Sequence, residues 1–247
     1  MTIDSHVHLK HGDAQKTEYS AETIVKTMDA VGIDKAIVFA MSTTASRAIQ
    51  MAKEAVDKFP DRLIPYAYAL PSYEEVVLDR LNEAIWDFGF RGIKIHLGEC
   101  TLAEYVIDPV MDLAGKRGVP CLIDCLGRHD PIQRMARKFT DTKIIVAHLG
   151  RYLCQDESLI DRFIRLAEEH DNILLDASGV VITSKISEAV DRIGSQRVVF
   201  GTDGPHMKPD TITYARTELD KIRALNLNPQ DEAAVLGGTI AHLLGIE

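Results

Sequence analysis

The chain alternates short apolar runs with helical stretches eight times over, and few folds accommodate that pattern. The runs are Ile3 to Val7, Lys35 to Phe39, Leu63 to Tyr68, Gly92 to His96, Pro120 to Asp124, Lys143 to His148, Ile173 to Asp176 and Val198 to Gly201. Each is almost continuously apolar, as a strand buried on both faces of a parallel sheet must be. Helical periodicity fills the gaps. Ser20 is placed to cap a helix that reaches Val31 and ends at Gly32. Further helices are expected over Ser46 to Phe59, Glu74 to Phe88, Pro109 to Arg117, Pro131 to Phe139, Leu159 to Glu169 and Ser187 to Ile193. Two closing helices are expected over Thr211 to Leu225 and Gln230 to Leu244. Eight βα units in 247 residues predict a single α/β domain, a (β/α)8 TIM barrel over residues 1–247. A doubly wound open sheet is the alternative, but it usually uses fewer strands. No GxGxxG or P-loop pattern follows any strand, and no linker interrupts the chain.

In a barrel, the C-terminal strand ends share one rim, where barrel enzymes keep their sites. The polar residues at those ends are therefore the candidates. The first strand ends in His6 and His8, two apart and so on one face. Converging imidazoles suit a divalent cation such as Zn, Cu, Fe or Ni. Spacing alone does not separate that reading from two surface histidines near a terminus. The other strand ends tip the balance: Lys94 and His96 from the fourth, Asp124 from the fifth, His148 from the sixth and Asp203 after the eighth. Scattered histidines would not stop so often where apolar strands stop, and the constellation reads as a metal-type catalytic site.

The formal net charge is −9, with a pI near 5.5. That argues against a nucleic-acid or anionic-membrane partner, which would want a basic face. Cys100, Cys121, Cys125 and Cys154 form no CxxC pair, so a reduced cytoplasmic setting is expected. No signal peptide precedes the first strand, and no apolar run is long enough to span a membrane.

Several segments carry a resemblance: IDSHVHL at 3–9, GFRGIKIHLG at 89–98, GVPCLIDCLG at 118–127, TKIIVAHLGR at 142–151, NILLDASG at 172–179, RVVFGTDGPH at 197–206 and VLGGTIAHLLGI at 235–246. In that order, covering nearly the whole chain, they resemble the amidohydrolase superfamily. The similarity is to its amidohydrolase-related branch, which includes aminocarboxymuconate-semialdehyde decarboxylase. The first block and the last two are specific; the others are weak alone. The resemblance implies a metal-dependent hydrolase holding one divalent metal, Zn or Mn. His6 and His8 would bind it, Asp203 would bind it and handle protons, and His148 would polarise the substrate. A small-molecule substrate is implied, with anionic ones among the candidates, and family members are often dimers. A non-oxidative decarboxylase on the same site is the first alternative.

The departure lies on the fifth strand, where the branch usually carries a metal-binding histidine and this chain has Asp124. Two outcomes are open. In one, Asp124 acts as an oxygen ligand beside His6, His8 and Asp203, a hard set suited to Mn or Zn. Alternatively the metal is lost, as in the similar pyrone-dicarboxylate lactonases, and Arg128 and Arg151 clamp a substrate carboxylate. The plainer reading of both arginines is as solvated loop residues. Lys94 reads as a substrate-anion or structural lysine, with a carboxylated bridging lysine as the superfamily alternative. His96 is expected to reach the pocket and touch substrate. His11 and His129 fall in rim loops, His206 is expected to orient the loop after Asp203, and His170 and His242 read as structural.

Overall fold

The computed structural model describes residues 1–71 and 76–246. Eight parallel strands pair in sequence order: β1 (Ile3–Lys10), β2 (Lys35–Ala40), β3 (Leu63–Tyr68), β4 (Gly92–His96), β5 (Cys121–Asp124), β6 (Ile144–Val146), β7 (Ile173–Asp176) and β8 (Val198–Val199). The ring closes between β8 and β1. Ser5 N donates to the Phe200 carbonyl at 3.0 Å, and His8 N donates to the Gly204 carbonyl at 2.7 Å. Closure leaves no edge strand to protect. The fold is thus a (β/α)8 barrel, and strand order alone rules out the doubly wound sheet.

Helices α1 (Ala21–Val31), α2 (Ala45–Lys58), α3 (Val77–Trp86), α4 (Glu104–Arg117), α5 (His129–Lys138), α6 (Glu157–Glu169), α7 (Ser184–Ile193) and α8 (Thr211–Arg223) connect the strands and follow the last. Two short helices, α9 (Pro229–Ala233) and α10 (Thr239–Leu244), flank a π-helical turn and replace the one closing helix expected there. The turn lets Gly237 pass the N-terminus, where a Cβ would lie 2.3 Å from the Met1 carbonyl oxygen. Local chemistry accounts for the helix starts. Ser20 accepts from Thr23 N, Asp156 from Ser158 and Leu159 N, and Asp210 from Ile212 and Thr213 N. Gly32 is left-handed and closes α1, as expected.

Some boundaries differ from the sequence reading. Helix α4 begins at Glu104 and carries Pro109 inside it rather than at its start. A proline there forfeits one N–H bond, yet the buried face of Ile107, Val110, Met111 and Ala114 holds the turn before it in place. The expected start of the third helix at Glu74 falls outside the described residues. Strand β6 ends at Val146, and a 3₁₀ turn over Ala147–Gly150 carries His148 with φ near +60°. Among the described residues, no helix is long and apolar enough to cross a membrane.

Candidate active site

The strand ends deliver their polar side chains to one cavity of about 520 Å³ on the C-terminal rim, lined by residues that include His6, His8, His148 and Asp203. A smaller cleft of about 310 Å³ beside Trp86 and Arg117 contains none of them and lies among the loops that lead into the strands. Strand β1 is buried along its whole length, polar residues included. Register shifts interrupt its pairing with β2 between Asp4 and Val7 and again between His8 and Lys10. Bulges of this kind re-aim side chains beside active sites. Here the His6 and His8 rings stack with centroids 5.3 Å apart, as the two-residue spacing predicts.

His6 Nδ1–H donates to Asp176 Oδ2 at 3.0 Å. This bond fixes the tautomer and leaves the Nε2 lone pair facing the cavity floor. Lys94 Nζ donates to that lone pair at 2.9 Å. His8 Nε2 lies 2.9 Å from Asp203 Oδ1, and His6 Nε2 lies 3.1 Å from the same oxygen. The His6 lone pair and that carboxylate oxygen repel at this distance unless a cation serves both, whereas a His8 Nε2–H can donate to Asp203 until a metal takes its place. Burial lowers His6, and the Lys94 ammonium lowers it further, so the imidazole stays neutral. Burial and His11 hold His8 well below the ordinary histidine value. Burial favours the neutral acid at Asp203, but His6, His148 and His8 outweigh it and hold the carboxyl well below its usual range. Asp203 stands at φ 58°, a left-handed backbone that costs energy outside glycine and is held by its surroundings.

The donor set fits a divalent metal. His6, His8 and Asp203 offer two neutral imidazole nitrogens and one carboxylate oxygen, all within 4.8 Å of one another. Asp176 supports His6 from behind, as an outer carboxylate does for a metal-bound histidine. Lys94, fully buried, is the competing cation and would have to withdraw from the His6 lone pair.

His148 closes the opposite side. Its Nδ1 donates to the Ser178 carbonyl at 2.9 Å, and its Nε2 stands 3.4 Å from Asp124 Oδ2. Burial alone would lower its pKa, but Asp203 and Asp124 prevail and push it up to about 9. A protonated His148 is therefore a hydrogen-bond donor near neutral pH.

Asp124 does not join the His6–His8–Asp203 group. Its Oδ2 faces His96 Nε2 at 3.2 Å as well as His148, and Leu126 N donates to Oδ1 at 3.0 Å. Strand β5 pairs Asp124 with His96 on β4, which places the carboxylate between those two imidazoles and off the β1 pair. His96 does line the cavity, and Lys94 lies beneath it. Arg128 and Arg151 are exposed and are absent from the cavity lining. Arg128 precedes α5 as its N-cap residue, and the Arg151 stem packs toward Gly127, so neither head is brought to the site. His11 and His206 stack outward from His8 in a row, with centroids 4.4 and 4.8 Å apart. Asp176 and Ser178 belong to the site although no role was read for them; Asp176 ends an apolar strand like the other candidates, and that signal was there to use.

The sequence matches the amidohydrolase family model (Amidohydro_2) over residues 3–246. A comparison with curated proteins finds no match. Among solved structures, the fold is similar to a probable 2-pyrone-4,6-dicarboxylic acid hydrolase from Acinetobacter baumannii with citric acid bound, at 14% identity, TM-score 0.78 and 99% of each chain covered. It is equally similar to a zinc-bound amidohydrolase from Burkholderia multivorans, at 15% identity, TM-score 0.78 and 100% of each chain covered. A 2,6-dihydroxybenzoate decarboxylase from Rhizobium superposes with TM-score 0.70 at 18% identity, covering 99% of this chain and 98% of that one. With the family model spanning almost every residue, this chain belongs to the amidohydrolase family of enzymes.

Proposed function

We propose that the protein is a metal-dependent hydrolase acting on a carbonyl, ester, lactone or amide of a small molecule. The observation that carries this reading is the convergence of His6 Nε2 and His8 Nε2 on one Asp203 oxygen at the barrel rim. A divalent metal held by His6, His8 and Asp203, Zn or Mn by donor type, would supply Lewis acidity, lowering the pKa of water and polarising a substrate carbonyl. The zinc in the Burkholderia relative supports that assignment.

The chain's own residues do the rest. Asp203 lines the cavity with part of its side chain exposed, so it can accept a proton from water and return it to a leaving group. His148, anchored through Nδ1 to Ser178, presents its Nε2 side to the cavity and stabilises negative charge developing on a substrate oxygen. Asp124 orients His96 and His148 from between them. Replacing Asp203 with Asn should abolish turnover with the circular-dichroism spectrum and melting temperature preserved. A fully active Asp203→Asn enzyme would remove the proton role.

One observation favours a second reading. The Lys94 ammonium already bonds the His6 lone pair and could stand where a metal would, which fits a metal-free lactonase. Metal content separates the two. A carboxy-lyase on the same site, suggested by the decarboxylase fold relative, would announce itself by CO2 release from a carboxylated substrate.

A further inference from the structure

Glu99 stands in the cavity wall on the turn after β4, half-buried. Among the described residues three donors fix its carboxylate. Ser42 N reaches Oε2 at 3.1 Å, Ser42 Oγ reaches Oε1 at 2.5 Å, and the Tyr68 hydroxyl, at the end of β3, bonds Oε2. Ser42 adopts φ 53°, a left-handed conformation uncommon outside glycine, and both of its donors land on this one carboxylate. From the loop after β1, Gly12 packs against the same group; a Cβ there would sit 3.3 Å from Glu99 Oε1. Loops after β1, β2 and β4 and the end of β3 thus converge on a single carboxylate. A carboxylate offers about four acceptor positions. Among the described residues Oε2 uses two and Oε1 uses one, which leaves an acceptor on Oε1. Burial would raise the Glu99 pKa, but the bonds from Ser42 and Tyr68 outweigh it and keep the group ionised at neutral pH.

Among the described residues, the cations in the cavity lining are the protonated His148, which faces Asp124, and Lys94. Asp13 is the other charged residue at the mouth, and among the described residues no arginine lines the cavity. Lys94, the lysine in the lining, is buried on the floor and committed to His6. A substrate carboxylate placed against the β4 turn would meet the Glu99 charge with no arginine or free lysine head beside it, whereas a hydroxyl or ammonium there would meet a pre-organised acceptor.

We propose that Glu99 is a specificity-determining residue and that the substrate carries a hydrogen-bond donor, a hydroxyl or an ammonium, on the part facing the β4 turn. This rests on the cavity being the hydrolase site proposed above, but its test needs no turnover. Dissociation constants would be measured by titration calorimetry for benzylammonium, benzyl alcohol and benzoate on the wild type and Glu99→Gln, both stripped of metal by chelation so that no metal competes for benzoate, with thermal melts alongside. The wild type should bind benzylammonium more tightly than benzoate. Glu99→Gln keeps the shape and removes the charge, and it should cut that preference by about tenfold, the size of one charge-assisted bond. Tyr68→Phe keeps the charge and should retain the preference. An unchanged ratio in Glu99→Gln, collapse of the preference in Tyr68→Phe, tighter benzoate binding in the wild type, or no binding of any of the three overturns the proposal. If Glu99→Gln does not fold, the wild-type ranking and Tyr68→Phe still decide it. Failure of the hydrolase reading would appear separately, as an active Asp203→Asn enzyme or a protein that takes up no metal.

Discussion

Asp203 carries its charge among three imidazoles, and its neighbours determine what each residue of the site can do. Asp176 fixes the His6 tautomer and so supplies the lone pair on which the metal reading depends. Replacing Asp176 with Ala should weaken metal binding by about 10–100-fold, as loss of an outer carboxylate does elsewhere; equilibrium dialysis against a metal buffer measures this. A different carboxyl gives a pH prediction. Glu218 is buried, and its Oε2 accepts from Gly179 N at 3.0 Å beside the site wall. Burial raises its pKa above the ordinary glutamate value, against the pull of Lys221. A carboxyl with a raised folded-state pKa binds its proton more tightly when folded. Its contribution to stability is therefore complete below the unfolded value of 4.5 and is lost as pH rises through the folded one. Gln in its place still accepts from Gly179 and cannot ionise. Glu218→Gln should accordingly gain melting temperature on the wild type as the pH rises above 4.5, and a difference that stays constant with pH would contradict the assignment.

The elements position these residues through a few close contacts. Strand β4 brings Lys94 to the floor of the site and His96 to its rim, and it opens with Gly92 because the buried Tyr66 ring lies across that position. A Cβ on Gly92 would fall 2.3 Å from the ring. Gly92→Ala should therefore destabilise the fold by about 1–3 kcal/mol in urea denaturation. On α4 the expectation has the opposite sign: Pro109 is exposed inside the helix, and Pro109→Ala should stabilise by about 1 kcal/mol or more. The strands were legible in the sequence because apolar runs such as Leu63 to Tyr68 have no other use in a chain of this composition. The convergence of His6, His8, His148 and Asp203 was legible because strand period and barrel topology together dictate it. The setting of Asp124 was not, since it depends on β5 pairing residue for residue with β4, and register leaves no local mark. Glu99 gave no signal either, because it lies on a turn whose shape comes from Ser42 and Tyr68, distant in sequence.

Across the whole molecule, eight strands closed in a ring pack an apolar core and leave their C-terminal ends to hold charge. Among the described residues four carboxylates, Asp13, Glu99, Asp124 and Asp203, line the cavity against the cations Lys94 and His148, so acidic groups are in excess at the rim. A divalent ion at the His6–His8–Asp203 group would offset that excess, and Glu99 would then select what approaches it. The measurement that tests this most directly is elemental analysis of the protein as purified, after chelation, and after refilling with Zn or Mn, repeated on His8→Ala and Asp124→Ala. The account predicts about one divalent metal per chain in the wild type, lost in His8→Ala and retained in Asp124→Ala. A folded wild-type protein that takes up no metal under any loading would contradict it and assign the floor of the site to the Lys94 ammonium.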